Sequence, residues 1–460
     1  MSQASGVCYP GIASEEWSLV AKPSVVIVGA GLAGLAAALE LARRGFGVSV
    51  FEARERAGGR VWTLRDGFRG MHAEAGGEFI DDDQDEIRKL ARQFGLGETR
   101  VLRGGFSHYR LGDDGRRRMR SAAVGWRRTE RALGPLVRAY RLNGEEWDGP
   151  IAAALARRSV AGWLDAIGAS IDLRATAAAM RGFYAADPDE LSLLVHVEQF
   201  AAGANPAERA LYRLRGGNDR LPERMTRAIG TPVRLGHIVR RIVQTRSGVR
   251  VTVQDRRGRR TEVAAGYAIV TAPAPLAAEI EYAPPLPQTQ RAAFVRLRYG
   301  RATKTLLEFD RHPWRRSGRP RACATDLDLG AVWDASEERR GPRAILTLLA
   351  GGAASDATRA LLASGGPDPL VARLGFFGIG RARLIAAQSV SWEADRWARG
   401  AYAFFDPSFP PAARPLLALP WRRVFFAGEH TSLKWQGYMN GAVESGMRAA
   451  EEVFISDKNE

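Results

Sequence analysis

The chain has 460 residues, two cysteines and a formal net charge of +16. Its length suits two domains with sizeable cores, and because Cys8 and Cys323 lie far apart in the sequence, they argue for a reducing compartment without a disulfide framework. The positive charge is almost all arginine, with only five lysines, and it is spread along the chain, which argues against a nucleic-acid partner. With no basic-then-apolar leader and no apolar run near the roughly 20 residues that span a bilayer, we expect a cytoplasmic protein without a membrane partner.

The first predicted unit is a strand, a glycine-rich turn and a helix. Residues 25–28 are typical of a buried parallel strand, and residues 35–44 have helical periodicity. A second strand, 48–51, ends in Glu52, which is placed to accept hydrogen bonds from ribose hydroxyls and disfavours a 2′-phosphate by charge repulsion. The glycines permit a tight turn, a close approach of backbone to a pyrophosphate, and close helix–strand packing, so the pattern predicts a dinucleotide-binding unit and argues against NADP. The three glycines of the turn are Gly29, Gly31 and Gly34.

The segment after the second strand favours FAD over NAD as the dinucleotide. Two adjacent glycines, the second of them Gly59, are followed by Arg60, so that backbone and a guanidinium reach the pyrophosphate from the other side. We assign Arg54, in the same segment, to the cofactor as well. A second glycine pair, Gly76 and Gly77, offers bare backbone against which a flat ring can lie, and a surface glycine loop is the alternative.

A dense basic run follows: residues 116–120 hold four arginines around a methionine. The preceding residues 112–115, Gly-Asp-Asp-Gly, predict a solvated hairpin tip. No aromatic residues interleave the run, so it gives no indication of stacking on bases.

Lys304 stands out in a chain whose cations are nearly all arginine. The residues from Thr303 onward alternate as a strand, with Lys304 on the opposite face from Thr303 and Thr305. An exposed strand lysine is the alternative to a functional one.

The most informative motif lies near the C-terminal end of the chain. An apolar strand, 425–426, leads into Ala-Gly-Glu, and after a short loop a helix opens on Gly-Tyr-Met. A strand end, an acidic residue for ribityl hydroxyls and a helix N-terminus with unpaired N–H groups suit the electron-rich pyrimidine end of a reduced isoalloxazine. An ordinary strand–turn–helix is the alternative. The residues that we assign to the cofactor here are Gly428, Glu429, Gly437, Tyr438 and Met439.

Taken together, these segments resemble the flavin-containing amine oxidase family, which includes monoamine oxidases, polyamine oxidases and L-amino-acid oxidases. The resemblance runs from about residue 25 to about residue 453 and includes the segments at 216–221 and 268–273. It implies FAD as the cofactor, with Val239 holding the adenine through backbone contacts, Glu429 holding the ribityl chain and Trp392 also at the cofactor.

The resemblance further implies an α/β fold in which a Rossmann-like (GxGxxG) FAD-binding domain interleaves with a mixed-sheet plus helical substrate-binding domain. Residues 1–22 have no periodicity and are predicted to form a loose N-terminal arm. The expected segments are 24–82, 210–285 and 390–453 for the FAD-binding domain, and 83–209 and 286–389 for the substrate-binding domain.

The resemblance assigns catalytic roles to three residues. Lys304 matches the family lysine that holds a water against flavin N5, where oxygen must react with reduced flavin. Tyr402 and Tyr438 match the two rings of the family's aromatic cage, which orients the amine, although Tyr402 as a core tyrosine is an alternative. Covalently flavinylated monoamine oxidases carry a cysteine immediately before the first cage tyrosine. Because Ala401 occupies that position here, we expect non-covalent FAD.

The expected function is oxidation of a small-molecule amine, with hydride transfer to flavin N5, hydrolysis of the imine and reoxidation by O2 to give H2O2; no metal is expected.

The identity of the substrate is left open by the sequence. Venom-type amino-acid oxidases place an arginine for the substrate carboxylate where Phe79 lies, which counts against an α-amino acid without excluding it. Asn440 replaces the acidic residue common after Gly-Tyr-Met, so long polyamines gain no support.

Several alternatives to this function are open. A biosynthetic oxidase of a secondary-metabolite amine and an L-amino-acid oxidase belong to the same reaction class. A desaturase or protoporphyrinogen-oxidase-type flavoenzyme shares the N-terminal motif, but C–C dehydrogenation needs no amine cage. A flavin-bound interaction protein without turnover is a third class, and a homodimer is left open.

Overall fold

Runs of buried β-branched residues alternate with helices along the chain, and they form a mixed α/β fold, as predicted. The structure is a computed structural model that describes residues 23–202, 209–316, 319 and 321–459. The predicted N-terminal arm, 1–22, with Cys8 within it, lies outside the described residues.

The described residues form 22 strands and 14 α-helices. The strands are β1 Ser24–Val28, β2 Gly47–Phe51, β3 Thr63–Leu64, β4 Ala73–Glu74, β5 Ile80–Asp81, β6 Glu98–Val101, β7 Ser107–Leu111, β8 Arg117–Ser121, β9 Leu211–Leu214, β10 Ile238–Gln244, β11 Val249–Gln254, β12 Arg260–Ala265, β13 Tyr267–Val270, β14 Glu281–Ala283, β15 Arg298–Tyr299, β16 Ala302–Phe309, β17 Ala322–Thr325, β18 Ala331–Asp334, β19 Ala344–Gly351, β20 Leu384–Ser391, β21 Ala403–Phe404 and β22 Val424–Phe426. The helices are α1 Leu32–Arg43, α2 Asp85–Gln93, α3 Ala122–Leu142, α4 Pro150–Ala156, α5 Val160–Ala166, α6 Ile171–Ala179, α7 Arg181–Tyr184, α8 Leu193–Ala201, α9 Arg220–Ala228, α10 Ala274–Ala277, α11 Gln288–Arg296, α12 Ala353–Gly365, α13 Asp368–Ala372 and α14 Met439–Lys458.

A parallel sheet of four strands, in the order β2-β1-β13-β22, joins segments that are far apart in the sequence. In β1, Val26 and Ile27 are fully buried, as expected for a parallel strand that is covered on both faces. The carboxyl ends of parallel strands meet at one edge of a sheet. Gly29, Glu52 and Ala427, which directly follow β1, β2 and β22, therefore lie along the same edge.

Helix α1 begins at Leu32, earlier than the predicted start at residue 35. Gly34 lies inside its first turn. Because glycine is a poor helix former, the sequence did not indicate that this turn is helical. A Cβ on Gly34 would lie 2.0 Å from the carbonyl oxygen of Gly29. Only glycine therefore fits at this point of close contact between strand, turn and helix.

A seven-stranded sheet, in the order β20-β16-β19-β18-β17-β7-β8, forms the second large layer. Its pairs are antiparallel except for β17 with β7. Every residue of β16 is buried, so Lys304 is a buried residue and not an exposed strand lysine. The edge hairpin of β7 and β8 confirms the predicted tip, with Arg116, Arg117 and Arg118 exposed.

Helices α3 to α8 form a separate layer around a core that includes Trp163 and Leu193. Helix α2 packs elsewhere, because Ile87 and Leu90 lie in the core that α1 and α14 share. A boundary at residue 82 would separate α2 from that core. The division of the chain into a cofactor-binding and a substrate-binding domain remains a prediction.

Helices α1 and α14 approach each other at the level of the backbone. A Cβ on Gly446 of α14 would lie 2.2 Å from the carbonyl oxygen of Ala33 in α1. Ala449 and Ala450, one turn further on, are fully buried in the same core. The small residues of α14 thus set the separation of the two helices.

We expect Gly446→Ala to destabilise the protein, because its methyl group would push α14 away from α1. Overpacking of this kind costs about 1–3 kcal/mol in the free energy of unfolding, which outweighs the roughly 1 kcal/mol that alanine gains in helix propensity. The matched control is Gly375→Ala, since a Cβ there meets nothing within 4 Å. Urea unfolding checks both variants, and equal midpoints for the two would contradict the close contact.

Candidate active site

A large cavity lies at the carboxyl edge of the parallel sheet. Residues that directly follow β1, β2 and β13, among them Gly29, Glu52 and Thr271, line a cavity of about 880 Å³. Of the residues that the sequence assigns to a site, Gly34 is absent from the wall, because it packs inside α1. The assigned residues in the wall are Gly29, Gly31, Glu52, Arg54, Gly59, Arg60, Gly76, Gly77, Phe79, Val239, Lys304, Trp392, Tyr402, Gly428, Glu429, Gly437, Tyr438 and Met439.

The glycine-rich turn leaves space for a ligand at the N-terminus of α1. Gly31 is the N-cap residue, no side chain caps the helix, and a Cβ on Gly31 would meet no described atom within 4 Å. A Cβ on Gly59 would lie 3.2 Å from the Gly31 Cα, so the second glycine segment closes against the first. Uncapped N–H groups beside bare backbone fit a pyrophosphate.

Glu52 is held in a fixed orientation beside this turn. Its Oε2 accepts a hydrogen bond from the Ala30 N–H at 2.7 Å, and its Oε1 accepts one from the Arg54 N–H at 2.9 Å. The carboxylate is thus fixed in the cavity wall, and its contact with a ribose stays a prediction. The Arg54 guanidinium donates to Asp395 at 2.8 and 3.1 Å, so it is paired with a carboxylate.

Val239 lies where strand β10 is irregular. The pairing of β10 with β11 shifts its register between Val239 and Arg241. Such a bulge leaves backbone groups outside the ladder, and backbone groups are what the predicted adenine contact uses.

An ion pair joins the N-terminal and C-terminal parts of the wall. The Arg60 Nη1 donates to Glu429 Oε1 at 2.9 Å and to the Ala401 carbonyl at 2.7 Å. Glu429 also accepts from the N–H groups of Ala403 at 3.2 Å and Gly437 at 2.9 Å. The carboxylate predicted to hold a ribityl chain therefore also holds the loop before α14 in place.

The glycine pair lies between Arg60, Trp392 and Met439. A Cβ on Gly76 would lie 1.9 Å from the Arg60 carbonyl oxygen, and one on Gly77 would lie 2.9 Å from the Met439 sulfur. The Trp392 indole N–H donates to the Ala75 carbonyl at 2.9 Å, which fixes the ring beside the pair. A side chain at Gly76 would collide with backbone, and one at Gly77 would displace the flexible Met439 side chain. The pair itself presents bare backbone.

Lys304 lies directly against the glycine pair. Its Nζ donates to the Gly76 carbonyl at 3.1 Å and to Glu78 Oε2 at 2.5 Å. The predicted lysine is thus brought to the segment where a flat ring is predicted to lie.

Buried tyrosines form another part of the wall. The predicted cage residues Tyr402 and Tyr438 line the cavity together with Tyr184. Burial raises the pKa of each of the three phenols well above the usual range, so all three are neutral near pH 7. A Cβ on Gly437 would lie 3.4 Å from Tyr402 Cδ2, so the Tyr402 ring packs against the loop that opens α14. A parallel arrangement of the two cage rings stays a prediction.

Tyr184 belongs to a small hydrogen-bonded group with α8. Its hydroxyl lies 3.1 Å from His196 Nδ1 and donates to Gln199 Oε1. Burial lowers the pKa of His196 to about 4, so its ring is neutral at pH 7. All three residues line the cavity, and they add polar groups to the part of the wall that holds the buried tyrosines.

Phe79 lies at the position where an arginine would bind a substrate carboxylate in venom-type amino-acid oxidases. Its ring centre is 5.3 Å from that of Trp333 and 6.4 Å from that of Phe106. This part of the wall is therefore an aromatic cluster.

Glu78, Tyr184 and His196 line the cavity but were not predicted as site residues. Glu78 directly follows the glycine pair, and a carboxylate next to an apolar segment was a usable sign that it pairs with a buried cation. No local pattern marks Tyr184 or His196, because the packing of α7 and α8 brings them to the cavity.

Among the described residues, no three or more His, Cys, Asp and Glu side chains form a group that could hold a metal ion. No described helix is both long enough and apolar enough to cross a membrane.

Comparisons with known proteins identify the family of this chain. A family model described as flavin-containing amine oxidoreductase matches residues 32–454. A Mycobacterium tuberculosis protein provisionally named flavin-containing monoamine oxidase AofH is 31% identical, over 93% of this chain and 96% of its own length. A solved structure of putrescine oxidase bound to putrescine has a TM-score of 0.83 at 25% identity, covering 94% of this chain and 99% of that one.

Cyclohexylamine oxidase from Brevibacterium oxydans has a solved structure with a TM-score of 0.82 at 25% identity. The similarity covers 95% of this chain and 99% of that one. From the match over residues 32–454, the chain belongs to the flavin-containing amine oxidoreductases, a family that uses FAD as its cofactor.

Proposed function

We propose that this protein is an FAD-dependent oxidase that acts on small-molecule amines. One observation carries the proposal: Lys304, Tyr402 and Tyr438 line the same cavity as the glycine turn of α1 and the glycine pair. When bound, FAD supplies a hydride acceptor at N5 and passes two electrons to O2. The amine carbon loses the hydride, the nitrogen lone pair forms the C=N bond, and water hydrolyses the imine to a carbonyl and an amine or ammonia. O2 takes up two electrons and two protons and leaves as H2O2.

The chain's own residues orient the amine in this scheme. Because Tyr402 and Tyr438 are neutral phenols, they present the negative faces of their rings without adding a charge to the site. Such faces attract an ammonium before deprotonation and align the lone pair of a neutral amine. In this scheme the ammonium of Lys304, which donates to the Gly76 carbonyl, holds a water beside the glycine pair, where O2 is reduced.

The charged side chains of the cavity wall indicate which amines can bind. Among the described wall residues, each buried charged side chain has a partner within the protein. In the buried part of the wall, a second ammonium or a carboxylate on the substrate would lack a counter-charge, which costs several kcal/mol. We propose a monoamine whose remaining part is uncharged. The pairs are Arg54 with Asp395, Arg60 with Glu429, Lys304 with Glu78, Arg209 with Asp81 and Arg414 with Glu198, while Glu52 accepts from backbone N–H groups.

Two matched pairs of compounds test the substrate class in a peroxide-release assay. Phenethylamine and L-phenylalanine differ by the carboxylate, and hexylamine and 1,6-diaminohexane differ by the second amine. We expect the monoamine of each pair to have a kcat/KM at least about tenfold higher, because about 1.4 kcal/mol of unfavourable charge burial suffices for that ratio. A reversed preference in either pair contradicts the charge argument, and if no amine reduces the flavin, the desaturase alternative is favoured.

The turn of α1 gives a test of the cofactor site. Gly31→Val should leave a folded protein with little bound FAD, because the new side chain points into open cavity space and not into the protein. Gly34→Val should instead disrupt folding, since its Cβ lies 2.0 Å from a backbone oxygen. The 450 nm absorbance per protein and the cooperativity of thermal unfolding distinguish the two outcomes.

Near-parent flavin content in Gly31→Val would contradict this site. In the parent protein, acid precipitation should release intact FAD into the supernatant. The reason is that Ala401 lacks the thiol that attaches a covalent flavin.

The cage is tested by removing its rings while FAD stays bound. Tyr402→Ala and Tyr438→Ala should each slow anaerobic flavin reduction about tenfold, since one cation–π contact is worth roughly 0.5–2 kcal/mol. Tyr438→Phe is the control, because it keeps the ring and removes the hydroxyl, and it should reduce at close to the parent rate. Unchanged reduction in the double alanine variant would place the substrate elsewhere.

A further inference from the structure

Glu78 is a buried carboxylate that the proposed reaction does not yet use. It lies 2.5 Å from the Lys304 ammonium, and the side chains of Lys304 and Glu78 are 4% and 3% exposed. The same ammonium donates to the Gly76 carbonyl at 3.1 Å. Two of its three N–H bonds therefore have acceptors within the protein.

The carboxylate itself is held from the opposite side. The Trp333 indole N–H donates to Glu78 Oε1 at 2.8 Å, and the Arg213 Nε lies 3.6 Å from the same oxygen. One oxygen of Glu78 thus serves Trp333 and the other serves Lys304. The Trp333 ring centre is also 5.2 Å from the Lys304 Nζ, so the lysine is confined between an indole, a carboxylate and a backbone carbonyl.

Stability does not explain this pair. Removing two charges from water costs several kcal/mol per ion, and a buried ion pair is often no better for stability than well-packed apolar residues. The strand that carries Lys304 is otherwise dominated by apolar residues and threonines, so apolar side chains could fill the site. The arrangement is better explained by a need for a charged group with a fixed direction.

We propose that Glu78 is the positioning residue for Lys304. By taking one N–H while Gly76 takes another, it leaves the third N–H for the cavity that both side chains line. This inference rests on the proposed function, in which that N–H holds a water beside the bound flavin. Glu78 acts through Lys304 and has no separate contact with substrate.

The test uses FAD-loaded full-length protein and four variants. Glu78→Gln keeps the shape of the side chain but has one acceptor oxygen, so it cannot serve both Trp333 and Lys304. Glu78→Asp keeps the charge and both oxygens. Lys304→Met removes the ammonium, and Glu78→Gln/Lys304→Met removes both charges, so neither is left buried without a partner.

Stopped-flow measurement of the two half-reactions separates the roles. In Glu78→Gln, reoxidation by O2 should slow at least about tenfold, while amine-driven reduction should change by less than about threefold. Glu78→Asp should recover part of the reoxidation rate. The double variant should reoxidise no more slowly than Lys304→Met, because a positioning residue has nothing left to position.

A second measurement does not depend on amine turnover. The midpoint potential of the bound flavin should rise in Glu78→Gln, because a nearby negative charge is lost, and fall in Lys304→Met, because a positive charge is lost. Parent-like reoxidation in Glu78→Gln, or effects of the two substitutions that simply add, would leave Glu78 as a structural residue only.

Failure of the proposed function has a different signature. If no amine reduces the flavin, the enzyme can be reduced with dithionite and its reoxidation by O2 still measured. The relation between Glu78 and Lys304 is then decided without any amine.

Discussion

The cavity depends on the ion pair between Arg60 and Glu429. These residues come from opposite ends of the chain, yet Arg60 Nη1 lies 2.9 Å from Glu429 Oε1. The Glu429 side chain is 6% exposed, and a carboxylate that is so deeply buried is stable only when it is paired and hydrogen-bonded. It also accepts hydrogen bonds from the N–H groups of Ala403 and Gly437. The pair therefore fixes the loop before α14 relative to the loop after β2.

The close contact of α1 and α14 has a consequence for charge. Gly34 lets α1 approach the end of β1, and Gly446 lets α14 approach α1. As a result, the N-termini of both helices, at Gly31 and Tyr438, lie in the wall of one cavity. Each N-terminus carries a partial positive charge and unpaired N–H groups. Two of them in one wall suit a ligand that is anionic at more than one point, as FAD is when its flavin is reduced.

The part of the cavity that Tyr184, His196, Tyr402 and Tyr438 line, here called the chamber, contains no unpaired charge among these four side chains. Its tyrosines and its histidine are neutral because burial opposes their charged forms, and its carboxylates are neutralised by arginines or by Lys304. Within a low-dielectric wall, an unpaired charge interacts strongly over several ångströms. Because Glu78 balances the charge of Lys304, the pair adds no net charge to the wall.

The sequence by itself determined the local units. The strand–turn–helix around Gly31, the acidic residue at the end of β2, the glycine pair and the motif around Glu429 are each set by short-range requirements of backbone space and hydrogen bonding. The hairpin tip before Arg116 and the strand that contains Lys304 were predictable for the same reason. The start of α1 was predicted at residue 35, but the helix begins at Leu32. The reason is that Gly34 allows close packing although glycine lowers helix propensity.

Only the tertiary structure decided which charged side chains form ion pairs and which residues line the cavity. That Glu78 pairs with Lys304, that Arg54 is engaged by Asp395, and that Tyr184 joins the cavity from α7 follow from contacts between segments that are remote in the sequence. Local sequence patterns do not predict such contacts. Hydrophobic burial determines which faces of helices and strands pack together, but it does not determine which polar groups pair within the packed interface. The sequence thus specified the local segments that are assigned to the cofactor, and the packing of these segments specified which charges in the cavity wall are paired.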